Sequence, residues 1–195
     1  MLGDRLSLAV RYVEILLEVA VPRGLLGPAE ADRVWERHVL NSAAPAALLP
    51  PACCVLDVGS GAGLPGIVLA LARPDVRVTL VERMQRRTVF LEECVAALGL
   101  GSRVQVRRAR AEQLHGTVSA DAVTARAVAP LHRLLPLCWP LVRPGGALLA
   151  IKGASAATEL ERDRIALPAD ACASVVQRDM GGLQEATLIV VRRPV

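Results

Sequence analysis

The spacing of apolar and polar positions changes character near residue 50. From Leu6 the apolar residues Leu6, Val10, Val13 and Leu17 recur at helical intervals, and Asp4 stands where an N-cap would. Pro22, Gly24 and Gly27 interrupt the pattern. A second helix is predicted to open at Pro28, whose fixed φ suits a first helical position, and to carry Val34-Trp35-Glu36-Arg37-His38-Val39-Leu40-Asn41-Ser42. Pro45 and the pair Pro50-Pro51 mark its boundary.

Beyond that point the apolar runs shorten. Cys53–Val58 is almost wholly apolar, as a strand buried on both faces would be. Val76–Val81, Arg103–Val106, Ala120–Thr124 and Gly146–Lys152 read as further strands, with Ala171–Gln177 and Ala186–Arg192 closing the chain. Helices are expected between them: Leu64–Arg73, halted before Pro74, and Met84–Leu98, stopped by Gly99. Two more are Pro130–Val142, kinked or broken by Pro136 and Pro140, and Ala156–Arg164. This alternation predicts an α/β fold of Rossmann-like type, a mostly parallel seven-stranded sheet with helices on both faces and an N-terminal helical cap. With no repeat or low-complexity linker, residues 1–195 are expected to be a single domain, 1–50 the cap and 51–195 the α/β core.

Composition narrows the class. With 53% hydrophobic and 22% charged residues the chain is not of disordered type. Aromatics make up only 2%, so the core must be packed by aliphatic side chains. The net charge of +4, carried mainly by arginine, leans toward a polyanionic partner. Cys53, Cys54, Cys94, Cys138 and Cys172 are odd in number and form no C-x-x-C pair, so neither a disulfide framework nor a metal site is expected. Each is read as a small core residue of a protein in a reducing compartment. Asp4, Arg5, Arg11, Glu14 and Glu18 break up the N-terminal segment, which excludes a signal peptide; a cytoplasmic protein without a membrane span is expected.

The chemistry centres on Asp57-Val58-Gly59-Ser60-Gly61-Ala62-Gly63-Leu64-Pro65-Gly66, which follows a strand and opens a helix. Taken as Gly61, Gly63 and Gly66, it is the G-x-G-x-x-G of a dinucleotide enzyme. Taken as Asp57 followed by Gly59, Gly61 and Gly63, it is a loop for S-adenosylmethionine. A carboxylate at Asp57 would repel a pyrophosphate and attract a sulfonium or ammonium, which favours the second. Glu82 ends the run Val-Thr-Leu-Val-Glu, where an acid can hold both hydroxyls of a ribose. It fits either cofactor.

The loop with its Leu-Pro-Gly tail resembles that of the bacterial 16S ribosomal RNA guanine-N7 methyltransferases (the RsmG, or GidB, type). Trp35–Ser42, Arg110-Ala111-Glu112, Thr124-Ala125-Arg126-Ala127, Pro144-Gly145-Gly146 and Ile151-Lys152-Gly153 follow in the family's order, so that the resemblance spans roughly residues 10 to 192. It implies a class I methyltransferase fold, with S-adenosylmethionine as cofactor. It also implies donor contacts at Gly59 and Leu64, at Ala111 and Glu112 near the adenine, and at Arg126, with Glu82 as the ribose acid. The implied partner is small-subunit ribosomal RNA or a ribosomal particle, with one guanine as target.

Guanine N7 carries a free lone pair and no proton. It can attack a sulfonium methyl with no base to prepare it, so no residue is expected to act as a catalytic acid or base. Positioning can supply roughly 7–11 kcal/mol in good cases. Arg126, Lys152 and His38 are the candidate positioning residues: two stand at strand ends, and His38 lies one helical turn from Ser42. Trp35 is the one aromatic near a plausible RNA surface, although core packing suits it as well. Arg86-Arg87 and Arg107-Arg108 either track phosphates or are ordinary solvated charge. A monomer is expected. The alternatives are an NAD-dependent oxidoreductase of the same topology and a donor-binding regulator without catalysis.

Overall fold

The computed structural model describes residues 5–182 and 185–195. The apolar runs become β1 (Cys54–Val58), β2 (Arg77–Glu82), β3 (Val104–Arg108), β4 (Ala120–Arg126), β5 (Val142–Lys152), β6 (Cys172–Asp179) and β7 (Glu185–Arg192). They form one sheet in the order β3-β2-β1-β4-β5-β7-β6. β1 pairs parallel with β2 on one side and β4 on the other, so the chain reverses its direction of winding at β1. The sheet is mixed, because β7 runs antiparallel to both β5 and β6. The buried central strands read as continuous apolar stretches, whereas β6 at the edge has no fully buried residue.

Helices cover both faces. On one side, α1 (Leu6–Ile15), α3 (Gly66–Ala72) and α4 (Gln85–Ala97) share an apolar cluster with the sheet through Tyr12, Ile67, Phe90 and Leu80. On the other, α5 (Leu131–Cys138) and α6 (Ala156–Arg162) pack Leu131, Leu134 and Ala156 against Val123 and Leu148.

Several boundaries move from their expected places, each for a local reason. Asp4 lies outside the described residues. The second cap segment is not a regular helix: a 3-10 turn at Pro28–Arg33 passes into wide π turns over Val34–Leu40, then one α turn, α2 (Asn41–Ala43), and a 3-10 turn over Ala44–Leu48. α3 starts at Gly66 rather than Leu64, since the residues before it are turned into the glycine loop. Pro136 is held inside α5, but the helix gives way to a tighter turn at Trp139–Leu141, and Val142 already belongs to β5. Cys53, Cys94 and Cys138 are buried as expected; Cys54 and Cys172 are exposed, Cys54 as the first residue of β1 and Cys172 as the first residue of the edge strand β6.

Candidate active site

The winding reversal leaves a crevice beyond the carboxyl ends of β1, β2 and β4, where open α/β sheets take their ligands. A cleft of about 380 Å³ lies there, in the range of small-molecule sites. Gly59 and Val58 form its floor, Glu82, Arg83 and Arg87 one wall, and Ala111, Glu112, Ala127 and Val128 the others.

The loop is pinned from three directions. Gly59 N–H and Ser60 N–H donate to the Val81 carbonyl at 2.9 and 3.2 Å, which ties the loop to β2. Gly61 N–H donates to Glu82 Oε2 at 3.1 Å, and Met84 N–H to Oε1 at 2.9 Å. Tyr12 of the cap is fully buried and donates its hydroxyl to the Ala62 carbonyl at 2.7 Å. Gly59 has φ +71°, and a Cβ there would stand 2.8 Å from Val128 Cγ2. A side chain at residue 59 would therefore be strained in its backbone and collide with Val128, another residue of the cleft lining.

Asp57 is fully buried and faces the protein rather than the cleft. Its Oδ2 accepts Gly66 N–H at 3.0 Å and its Oδ1 accepts the Thr124 hydroxyl at 2.9 Å. The carboxylate braces the start of α3 against β4 instead of presenting its charge to a ligand, which corrects the electrostatic reading of this residue. Burial pushes its carboxyl up to about 6, against the opposing effect of its hydrogen-bond donors. A folded-state value above the unfolded 3.8 favours folding in acid, and that contribution is lost as pH rises through about 6. Two units correspond to about 3 kcal/mol. Asp57→Asn keeps an acceptor for Gly66 and cannot ionise. Its stability relative to wild type is expected to improve by about this amount between pH 4 and 6.5 in urea titrations. A constant difference across that window would show that Asp57 does not titrate as a buried acid.

Glu82 is buried at the cleft wall, with Arg87 Nη1 3.6 Å from Oε2. Its backbone bonds use one lone pair on each oxygen, which leaves capacity for two hydroxyl donors. Of the other residues singled out, Gly59, Ala111 and Glu112 line the cleft; Gly61, Gly63 and Leu64 lie in the loop behind it. The arginines at 83, 87 and 110 belong to the wall; Arg87 stood out in the sequence as part of a basic pair and Arg110 within Arg110-Ala111-Glu112, whereas Arg83 did not.

Arg126 and His38 meet each other away from the cleft. Arg126 Nη1 donates to the carbonyls of Arg37 and His38 at 3.3 and 3.2 Å and to Ser42 Oγ at 2.9 Å, while Nη2 reaches His38 Nδ1. Since a guanidinium only donates, Nδ1 must accept, and the imidazole is the neutral Nε2–H tautomer. Nε2 lies 2.8 Å from Glu30 Oε2, close enough to attract it but off the alignment of a full hydrogen bond. Burial, then the Arg126 charge, hold His38 below its usual 6.5. Lys152 Nζ donates to the Ala129 carbonyl at 3.0 Å and to Glu159 Oε1 at 2.8 Å, and the same oxygen accepts Leu131 N–H at 2.7 Å. Trp35 packs partly buried against the core.

A glycine loop at the winding reversal, with an acid ending the neighbouring strand, places this chain in the Rossmann-like methyltransferase fold class. Solved structures agree on the fold. A Bacillus cereus O-methyltransferase in complex with SAH superposes with a TM-score of 0.63 at 14% identity, over 94% of this chain and 91% of that one. An S-adenosylmethionine-dependent O-methyltransferase of Thermotoga maritima gives 0.60 at 18% identity, over 80% and 65%. The GidB family, rRNA small subunit methyltransferase G, matches residues 5–184, and the chain belongs to it. The ribosomal RNA small subunit methyltransferase G of Thermobifida fusca is 50% identical over 96% of this chain and 80% of its own length. That of Salinispora tropica is 53% identical over 94% and 74%. Among the described residues, no helix is long and apolar enough to cross a membrane.

Proposed function

We propose that this chain is a cytoplasmic enzyme that moves the methyl group of S-adenosylmethionine to N7 of a guanine in small-subunit ribosomal RNA, with no general base. The observation that carries the reading is the cleft at the winding reversal, lined by Gly59 of the glycine loop and walled by the buried Glu82, in a chain of this family. When bound there, the donor supplies an electrophilic methyl on a sulfonium, which a ring nitrogen lone pair takes directly.

The protein's part is to hold and to enclose. Glu82 receives the ribose hydroxyls with its spare lone pairs, while its bonds to Gly61 and Met84 keep the carboxylate from turning. Ala111 and Glu112 border the base end, where Leu137 adds apolar surface. The three positioning candidates act on backbone. Arg126 and His38 lock the cap over the loop, and Lys152 fixes Ala129, just beyond the cleft-lining Ala127 and Val128. None of the three supplies or removes a proton in the reaction.

It follows that kcat should stay flat between about pH 6.5 and 8.5. Burial holds His38 below its usual 6.5, and Asp57, pushed up to about 6, is mostly ionised across that range and does not face the cleft. A steep profile following one ionisation would defeat base-free transfer. The reading as a whole is tested by transfer of labelled methyl to small-subunit RNA and to assembled particles, followed by mapping of the base. Binding of S-adenosylmethionine without transfer would indicate a regulator, and calorimetric preference for NAD would indicate an oxidoreductase.

A further inference from the structure

Arginines at the carboxyl ends of β2 and β3 form a cluster without acidic partners; Arg77, Arg133, Arg178 and Arg192 are also exposed and unpaired among the described residues, but stand on separate elements, β2, α5, β6 and β7. Arg11, Arg23, Arg73 and Arg162 each lie within 3.0 Å of a carboxylate. Arg83, Arg86, Arg107, Arg108 and Arg110 are all exposed, and among the described residues none is paired with an acid. Arg108 reaches only the neutral Gln85 Oε1, at 3.2 Å. The fold gathers the five at one corner. Parallel register sets Val81 beside Arg107 and Glu82 beside Arg108. Arg83 follows the end of β2, Arg86 is in the first turn of α4, and Arg110 follows β3. Arg83 and Arg110 line the cleft itself.

Like charges held this close oppose folding, so their concentration calls for a compensating anion. Protection of a sheet edge by charge would account for Arg107 and Arg108 on the edge strand β3, but not for Arg83, Arg86 and Arg110, which lie outside it. Guanidinium suits phosphate because its planar fork binds two oxygens at once. Arg107 and Arg108 are successive strand residues and face opposite sides of the sheet. The basic surface therefore wraps round the edge, where a flexible chain can follow it, rather than forming a flat patch.

We propose that Arg86, Arg107 and Arg108, continued to the cleft rim by Arg83 and Arg110, form a phosphate track on which the substrate RNA strand lies as its guanine enters the cleft. The assignment rests on the reading of the chain as an RNA methyltransferase. It places the RNA backbone along the β2–β3 edge of the sheet, on the Glu82 side of the cleft.

The test compares Arg86→Ala/Arg107→Ala/Arg108→Ala, which spares every cleft-lining residue, with Arg77→Ala/Arg164→Ala/Arg178→Ala, which removes the same charge from exposed sites elsewhere. Methyl transfer to small-subunit particles is followed against salt, alongside calorimetry with S-adenosylmethionine. The track triple is expected to raise KM for RNA roughly tenfold at about 0.15 M salt, and to flatten the log–log salt dependence by about 2. Its kcat and its affinity for the donor should stay within about twofold, the RNA term alone being phosphate contact. The control triple should leave KM nearly unchanged, and the matching Arg→Lys triple should recover much of the loss. Equal effects from both Ala triples, or an unchanged KM in the first, would overturn the track. Should the wild type methylate no RNA, the parent reading falls instead. Direct RNA binding by wild type and both triples then still decides whether the track exists.

Discussion

Gly66→Ala is expected to cost about 3 kcal/mol of folding stability and lower the melting temperature by roughly 6–12 °C. Gly66 opens α3 where the helix lies directly on the sheet. A Cβ there would press into Leu80 Cδ2 and stand 2.8 Å from Asp57 Oδ2 and 3.0 Å from Asp57 Cβ. Leu80 and Asp57 are both wholly buried, so neither can swing aside. Moving the helix outward would stretch the Gly66–Asp57 bond and leave a buried acceptor short of a donor. Loss of donor affinity should accompany the loss of stability, because the same brace sets the loop. Gly101→Ala, where a Cβ meets nothing within 4 Å, is the matched comparison and should be near neutral in thermal melts. Equal melting temperatures for the two variants would rule out tight helix–sheet contact as the reason for glycine at 66.

Arg126→Ala should be nearly as damaging, by a different route. One guanidinium serves two carbonyls, the Ser42 hydroxyl and His38 Nδ1. Its removal strands several partly buried polar groups and leaves Glu30 with only its exposed partner Arg37 and an unanchored imidazole. A loss of about 3 kcal/mol is expected, and it should be uneven. Hydrogen exchange over residues 34–43 should quicken far more than in β1 or β4. Arg126→Lys offers one compact charge in place of a fork and should recover only part of the loss. Unchanged protection of the cap, with donor binding abolished, would instead place Arg126 in direct contact with the donor.

The sequence revealed most where the pattern is local. β1, β2 and α4 fall within a residue or two of their expected limits, because a buried strand's apolar run and a helix's apolar face are both written in consecutive residues. Asp57 shows the opposite case. Its position at a strand end beside glycines is equally compatible with meeting a ligand or bracing a turn. The choice depends on Thr124, 67 residues further on, whose hydroxyl claims one of its oxygens. Arg126 at a strand end and His38 on the cap were both visible as candidates, yet nothing linear indicates that they bind each other. The cleft arginine at 83 was hidden in an arginine-rich chain, and Arg110 stood out only within the Arg110-Ala111-Glu112 resemblance. The signal that brings them together, a shared position at the cleft, exists only after folding.

The order β5-β7-β6 bears on how the protein is made. Every strand bordering the cleft is complete by residue 126, but β5 waits for its outer neighbour until β7 is available. β6 emerges earlier and has nothing to pair with in the meantime, since β7 must come between it and the sheet. During synthesis, or in a chain cut short before Glu185, the long apolar β5 has an open edge able to pair with other chains. The ligand-binding half can thus assemble early, while protection from aggregation depends on Glu185–Arg192, the last of the seven described strands to be made.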